Sequence, residues 1–157
     1  MDKMTLDLAT LPVGSSQVVL DADAAGLELP AEEWRGPIRA ELRVEKNGEQ
    51  VSIRGRLVAT AELDCVRCLK RFELSLDPAF EVYAERSGAG RHPREDADLE
   101  RDGYMLFHDG RRLVLGAAVR EALLLEIPVA PHCREDCRGL CPRCGVDLNE
   151  GPCGCAT

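Results

Sequence analysis

The chain has 157 residues, 45% of them hydrophobic and 31% charged, enough for one soluble domain with its own core and an appended module. The formal net charge of −8 excludes a protein that grips nucleic acid over its whole surface, because an anionic surface repels phosphate. No apolar run approaches the roughly 20 residues of a membrane helix.

The start, MDKMTLDLATLP, alternates polar and apolar residues and lacks the continuous apolar stretch of a secretory signal. This places the chain in the cytoplasm, where thiols stay reduced. Within residues 1–35, Thr5 to Leu8 and Gln17 to Leu20 read as edge strands, broken by Pro12, Gly14 and Pro30. Ile38, Ala40, Leu42 and Val44 then alternate with polar residues, as do Val51, Ile53, Leu57, Ala59, Ala61 and Leu63. Between them Asn47-Gly48 predicts the turn of a long antiparallel hairpin with one buried face, since both residues tolerate positive φ. Phe72, Leu74 and Leu76 continue the alternation, and Phe80 and Val82 begin a further strand after Pro78.

Residues 86–103 hold almost nothing apolar, and the acidic run from Glu95 to Asp102 reads as an exposed, mobile loop. Tyr104 to Phe107 predicts another strand, followed by a turn at Asp109-Gly110. The segment LGAAVREALLLEIP places Leu115, Ala118, Val119, Ala122 and Leu123 at helical spacing, so a helix is expected over 115–127, stopped by Pro128. Leu124, Leu125 and Ile127 widen its apolar face, which calls for cover on two sides, by the sheet and by either the tail or a second subunit. Pro128-Val129-Ala130-Pro131 is a stiff connector. The expected architecture is α+β and mainly antiparallel β, as a sheet or partly open barrel with one C-terminal helix. The division is a β-rich domain over 1–131 and a cysteine tail over 132–157 packed on it.

Eight cysteines carry the chemistry. They fall as Cys65-x-x-Cys68, then Cys133, Cys137, Cys141, Cys144, Cys153 and Cys155. Tight pairs in a reducing compartment suit shared metal better than disulfides. In Cys141-Pro-Arg-Cys144-Gly, two thiolates flank a turn, and Gly145 can take the positive φ that aims backbone N–H groups at sulfur. Cys153-Gly-Cys155 places two sulfurs on one face of an extended strand, and Gly154 allows the bend that closes them on one ion. Cys141, Cys144, Cys153 and Cys155 therefore make one four-cysteine site. Cys65, Cys68, Cys133 and Cys137 make a second that clamps the tail to the sheet. An alternative partition places Cys137 in the tail site and leaves Cys133 spare, and His132 or His108 could substitute as ligands. The expected cofactor is Zn²⁺, two ions, in structural sites.

No catalytic pattern accompanies the cysteines. The serines at 15, 16, 52, 75 and 87 sit in no G-x-S-x-G setting, and the sequence has no P-loop or dinucleotide fingerprint. Seventeen of the twenty Lys and Arg residues are Arg, whose planar fork leaves room for a local carboxylate or phosphate contact.

With these blocks in hand, the sequence resembles the YceD family of bacterial proteins. The resemblance rests on Cys65-Val-Arg-Cys68-Leu-Lys-Arg-Phe72, on the strand and Asp-Gly turn before LGAAVREALLLEIP, and on the ending CRGLCPRCGVDLNEGPCGC. It covers roughly residues 38–155. It implies a role in accumulation of large-subunit (23S) rRNA, and so in assembly of the large ribosomal subunit, without enzymatic activity. It also implies that some members lack most tail cysteines, which would put the shared function on the sheet near Arg67, Lys70, Arg71 and Phe72. The partner expected is a precursor of the large subunit, met through a basic ribosomal protein or through rRNA, with no membrane and no small-molecule substrate. Two other readings stand beside this one: a cytosolic thiol or zinc switch using Cys65 and Cys68, and a zinc-ribbon interaction module of unassigned partner.

Overall fold

The computed structural model describes residues 4–88, 94–95 and 105–155. In chain order the strands are β1 (Thr5–Asp7), β2 (Gly14–Ala22), β3 (Trp34–Asn47), β4 (Gln50–Asp64), β5 (Arg71–Leu76), β6 (Ala79–Arg86), β7 (Leu106–His108) and β8 (Arg112–Val114), followed by helix α1 (Gly116–Glu126). The loop expected across 86–103 falls mostly outside the described residues, as does Tyr104.

The fold is built on the β3–β4 hairpin. Ile38, Ala40, Leu42 and Val44 on one strand and Val51, Ile53, Leu57, Ala59 and Ala61 on the other are all buried. The residues between them face outward and pair in cross-strand ion pairs such as Arg56–Glu41 at 2.7 Å. This is the period-2 pattern of a sheet with one covered face. The ladder runs to Asn47↔Gln50 across the Asn47-Gly48 turn. Its register shifts between Arg35 and Arg39, where Pro37 cannot donate to the ladder and the strand bulges.

β4 is long enough to pair with two strands along its second edge, with β6 over Val51–Arg56 and with β5 over Ala59–Asp64. The sheet order is β2-β3-β4-β6-β7, with β7 parallel to β6. The sheet is open rather than closed into a barrel. A two-stranded ribbon of β1 and β8 and helix α1 complete the core, with Leu6, Leu113, Leu115, Val119 and Leu123 buried. Leu125 on the far flank of α1 is 79% exposed, so the helix is covered on one side within the described chain. Ile127 is already extended, as a residue before proline prefers, and it ends the helix at Glu126.

Gly55 sits in phase with the buried residues of β4, where the backbone of β3 comes too close for a side chain. A Cβ there would lie 2.0 Å from the Glu41 carbonyl oxygen. Gly55→Ala is therefore expected to cost about 1–3 kcal/mol, the usual range for overpacking. A denaturant midpoint equal to wild type would show that β3 yields freely at this point.

His108 is buried, but it is engaged away from the cysteines. Its Nδ1 accepts from the Gly110 N–H at 3.0 Å, so Nε2 carries the proton and donates to the Glu49 carbonyl at 2.8 Å. It locks the turn after β7 to the main hairpin.

Candidate metal centres

β4 ends at Asp64, and the next residue opens the first cysteine knuckle. In Cys65-Val-Arg-Cys68-Leu, the Leu69 N–H donates to the Cys65 carbonyl at 2.9 Å, and the Cys65 N–H donates to the Lys70 carbonyl at 2.9 Å. In Cys141-Pro-Arg-Cys144-Gly, Gly145 N–H donates to the Cys141 carbonyl at 2.9 Å and Cys141 N–H to the Val146 carbonyl at 2.8 Å. The two knuckles are the same turn built twice. Each needs positive φ after its second cysteine, taken by Gly145 at +75° and by Leu69 at +63°. Glycine enters this region without a steric penalty, whereas leucine must be held there by its surroundings. The repeated tetrapeptide C-x-R-C is the sequence signal for the shared turn.

The structure brings the eight cysteines together as two quartets, Cys65, Cys68, Cys133 and Cys137 in one and Cys141, Cys144, Cys153 and Cys155 in the other. Within each, the sulfurs all lie within 4.8 Å of one another. In the first, the Cys65–Cys137 and Cys68–Cys133 sulfurs are both 3.7 Å apart. Four sulfurs at about 2.3 Å from a central ion stand nearly 4 Å apart in a tetrahedron, whereas a disulfide requires about 2.05 Å. The donor set and the spacing therefore fit a tetrahedral thiophilic cation. Neither His108 nor His132 joins a quartet.

The environments of the thiols explain how such a site fills. Burial pushes the Cys65 thiol up, but backbone N–H groups of Cys68, Cys133 and Arg67 aimed at its sulfur outweigh this and bring it to about 5. The Asn149 side-chain amide is the main cause that lowers Cys137. Backbone N–H groups of Cys144 and Arg143 lower Cys141 to about 6. Burial, joined by the facing sulfurs, pushes Cys133 up to about 12. Cys155 is pushed up to about 11, chiefly by its contact with Cys144. Each quartet thus holds sulfurs that ionise readily beside others that keep their protons while an anion lies next to them. A cation removes that repulsion and displaces the remaining protons.

The residues around the first knuckle dock the tail. Arg67 Nη1 donates to the Cys137 carbonyl at 3.0 Å, and the Leu140 N–H returns a bond to the Arg67 carbonyl at 3.1 Å. Gly139 passes so close that a Cβ would lie 3.0 Å from that same carbonyl oxygen. Lys70 Nζ lies 2.8 Å from Asp147 Oδ2 and 3.3 Å from Glu150. Arg71 pairs with Glu62 at 3.3 Å, and Phe72 packs against the first quartet with Leu140. Asp147 and Asn149 were not legible as part of this assembly, because they belong to the second knuckle in sequence and reach the first only through the fold. The quartets also differ in access: Cys65, Cys68 and Cys137 are buried, whereas Cys144 is exposed and Cys153 and Cys155 are half-buried.

Comparison with known proteins adds a family match and a set of relatives. A family model described as "Large ribosomal RNA subunit accumulation protein YceD" matches residues 53–157. An uncharacterized protein of Mycobacterium leprae (strain TN) is 35% identical over 127 residues, covering 81% of this chain and 56% of the relative. An uncharacterized protein of Mycobacterium tuberculosis (strain ATCC 25618 / H37Rv) is 33% identical over 138 residues, 81% of this chain and 59% of its own. The chain thus spans under two thirds of the length of these relatives. No solved structure matches it. No helix among the described residues is long and apolar enough to cross a membrane.

Proposed function

The chain belongs to the YceD family, and we propose that it is a non-catalytic, zinc-stabilised factor in assembly of the large ribosomal subunit, supporting accumulation of large-subunit rRNA. The observation that carries this reading is the family match, whose span of 53–157 holds the first knuckle, helix α1 and both quartets. Zn²⁺ is the cation that suits four thiolates, and such a closed set leaves no position for a reacting water. Its contribution is therefore folding free energy. Thiols kept as metal ligands suit the reducing cytoplasm. A switch built on Cys65 and Cys68 draws no support from their burial, since a reactive thiol must be reached.

The charge favours a basic ribosomal protein as the direct partner. Two tetrathiolate zinc centres take the formal charge from −8 to about −12, which complements a cationic protein and repels phosphate. The contact is assigned to the end of the sheet bearing Arg67, Lys70, Arg71 and Phe72, where Asp147, Glu150 and Glu62 offset the charges of Lys70 and Arg71 and supply the acidic groups a basic protein would meet. There Lys70 and Arg71 keep 54% and 48% of their side-chain surface open while holding their internal partners.

The test is a gradient profile of a strain lacking the gene, with and without the gene restored. The expected result is a lower ratio of large- to small-subunit RNA and accumulation of precursor particles, both reversed by restoration. An unchanged ratio overturns the ribosomal reading. Neutralising Lys70 and Arg71 addresses the partner: a salt dependence that flattens by a log–log slope of roughly 0.7 per lost contact would point to single-stranded RNA instead of protein.

A further inference from the structure

Asn149 is a ligand of neither quartet. By sequence it lies between Cys144 and Cys153, within the loop that the second quartet closes. Its side chain nevertheless serves the first. Asn149 Nδ2 donates to the Cys137 sulfur at 3.3 Å and to Asp147 Oδ1 at 2.8 Å, and its Oδ1 accepts the Arg138 N–H at 2.9 Å. The loop is held to residues 139–140, the stretch that joins Cys137 to the second knuckle, by the Leu140↔Asp147 bridge and by Leu148 N–H donating to the Gly139 carbonyl at 2.9 Å. From the opposite side Lys70, two residues past Cys68, grips Asp147 at 2.8 Å. A donor aimed at a ligating thiolate fixes its rotamer and disperses its charge, and such partners commonly change metal affinity by about 10- to 100-fold.

We propose that Asn149 is a positioning residue that couples the two metal centres. Filling the second quartet closes the 141–155 loop and sets Asn149 against the Cys137 sulfur, so the first ion binds more tightly. By linkage, filling the first quartet strengthens the second by the same factor. Coupling of this kind would make the tail form and dock as one unit rather than in two independent steps. The inference rests on the zinc reading above.

The experiment is a zinc titration of the full chain in reducing buffer against a competing chromophoric chelator. It compares the intact chain with two variants that each keep one quartet: Cys153→Ser/Cys155→Ser, and Cys65→Ser/Cys68→Ser. The product of the two stepwise constants of the intact chain is expected to exceed the product of the two single-quartet constants by about 10- to 100-fold. In the Asn149→Leu background that excess should fall to within about twofold of unity, the ordinary scatter for independent sites. Asn149→Ser, smaller and still polar, repeats the measurement, and far-ultraviolet circular dichroism establishes that each variant keeps its sheet. Two zinc ions bound with no excess, or an excess that survives both substitutions, overturns the coupling and leaves the zinc reading intact. No zinc uptake by the intact chain overturns both.

Discussion

Stripping metal from the purified protein is expected to release the tail while the sheet stays folded. Elemental analysis before chelation should give two zinc ions per chain, because the two quartets consume all eight cysteines. Beyond the docking bonds around Arg67 and Lys70, the tail has little apolar surface to hold it. Its larger apolar residues are Leu140, Val146 and Leu148, and Val146 is 43% exposed. Full burial would contribute only about 1.5–3 kcal/mol each, against about 10–16 kcal/mol for each structural zinc near neutral pH. The sheet has its own core, from Met4 and Leu6 through the hairpin to Leu123, which includes no cysteine, and it is expected to stay folded without the ions. After chelation, protease should cut in the connector at 128–131 and leave the sheet intact, and the β-sheet signal in circular dichroism should persist. The sign with pH follows from the thiols: protons compete with the cation for every sulfur, so zinc is held at neutral pH and lost as pH falls. Thiols already low, such as Cys65 at about 5, compete least, and those held high, such as Cys133, set the loss. A tail that stays protected in the metal-free protein, or a zinc ratio near one, contradicts this account.

How far the sequence reveals this arrangement depends on the range over which each signal acts. The β3–β4 hairpin is legible because its turn residues and its period-2 pattern are neighbours along the chain. Pairing of Thr5 with Val114 in the β1–β8 ribbon is not, since three-residue strands carry almost no pattern and their partners are remote. The exposed flank of α1 is a different case. Leu124 and Leu125 suggest cover on a second side, but apolar composition states only what a face could bury, not whether this chain supplies the cover. Spacing narrows the cysteines to two partitions, because short pairs around a tight turn have few ways to converge, and the fold groups Cys137 with Cys65, Cys68 and Cys133. The positive φ at Leu69 stays hidden, since leucine is not a residue from which that conformation would be read. The role of Asn149 is hidden for a different reason. A single amide in a loop gains meaning only when the fold brings a sulfur from another element to it.

Single thiolate deletions should separate the two centres by what each holds together. Cys137 sits in the quartet that joins Cys65 and Cys68, at the tip of β4, to the start of the tail. Its loss opens the first centre and undoes the docking around it, including the Arg67 bond to the Cys137 carbonyl. Cys153 belongs to a quartet drawn wholly from residues 141–155, so its loss opens a loop and leaves the clamp to the sheet in place. With zinc kept well above both dissociation constants, a weakened first centre still fills in the Cys153→Ser protein. Limited proteolysis is therefore expected to cut Cys137→Ser in the connector at 128–131 and discard the whole tail. Cys153→Ser should be trimmed only after Cys144, leaving residues 132–140 protected against the sheet. The difference in size between the two stable cores, read by intact mass, is the observable. Identical cleavage patterns would mean that the tail is held by some contact other than the first quartet, because only a clamp at Cys65 and Cys68 makes the two deletions unequal.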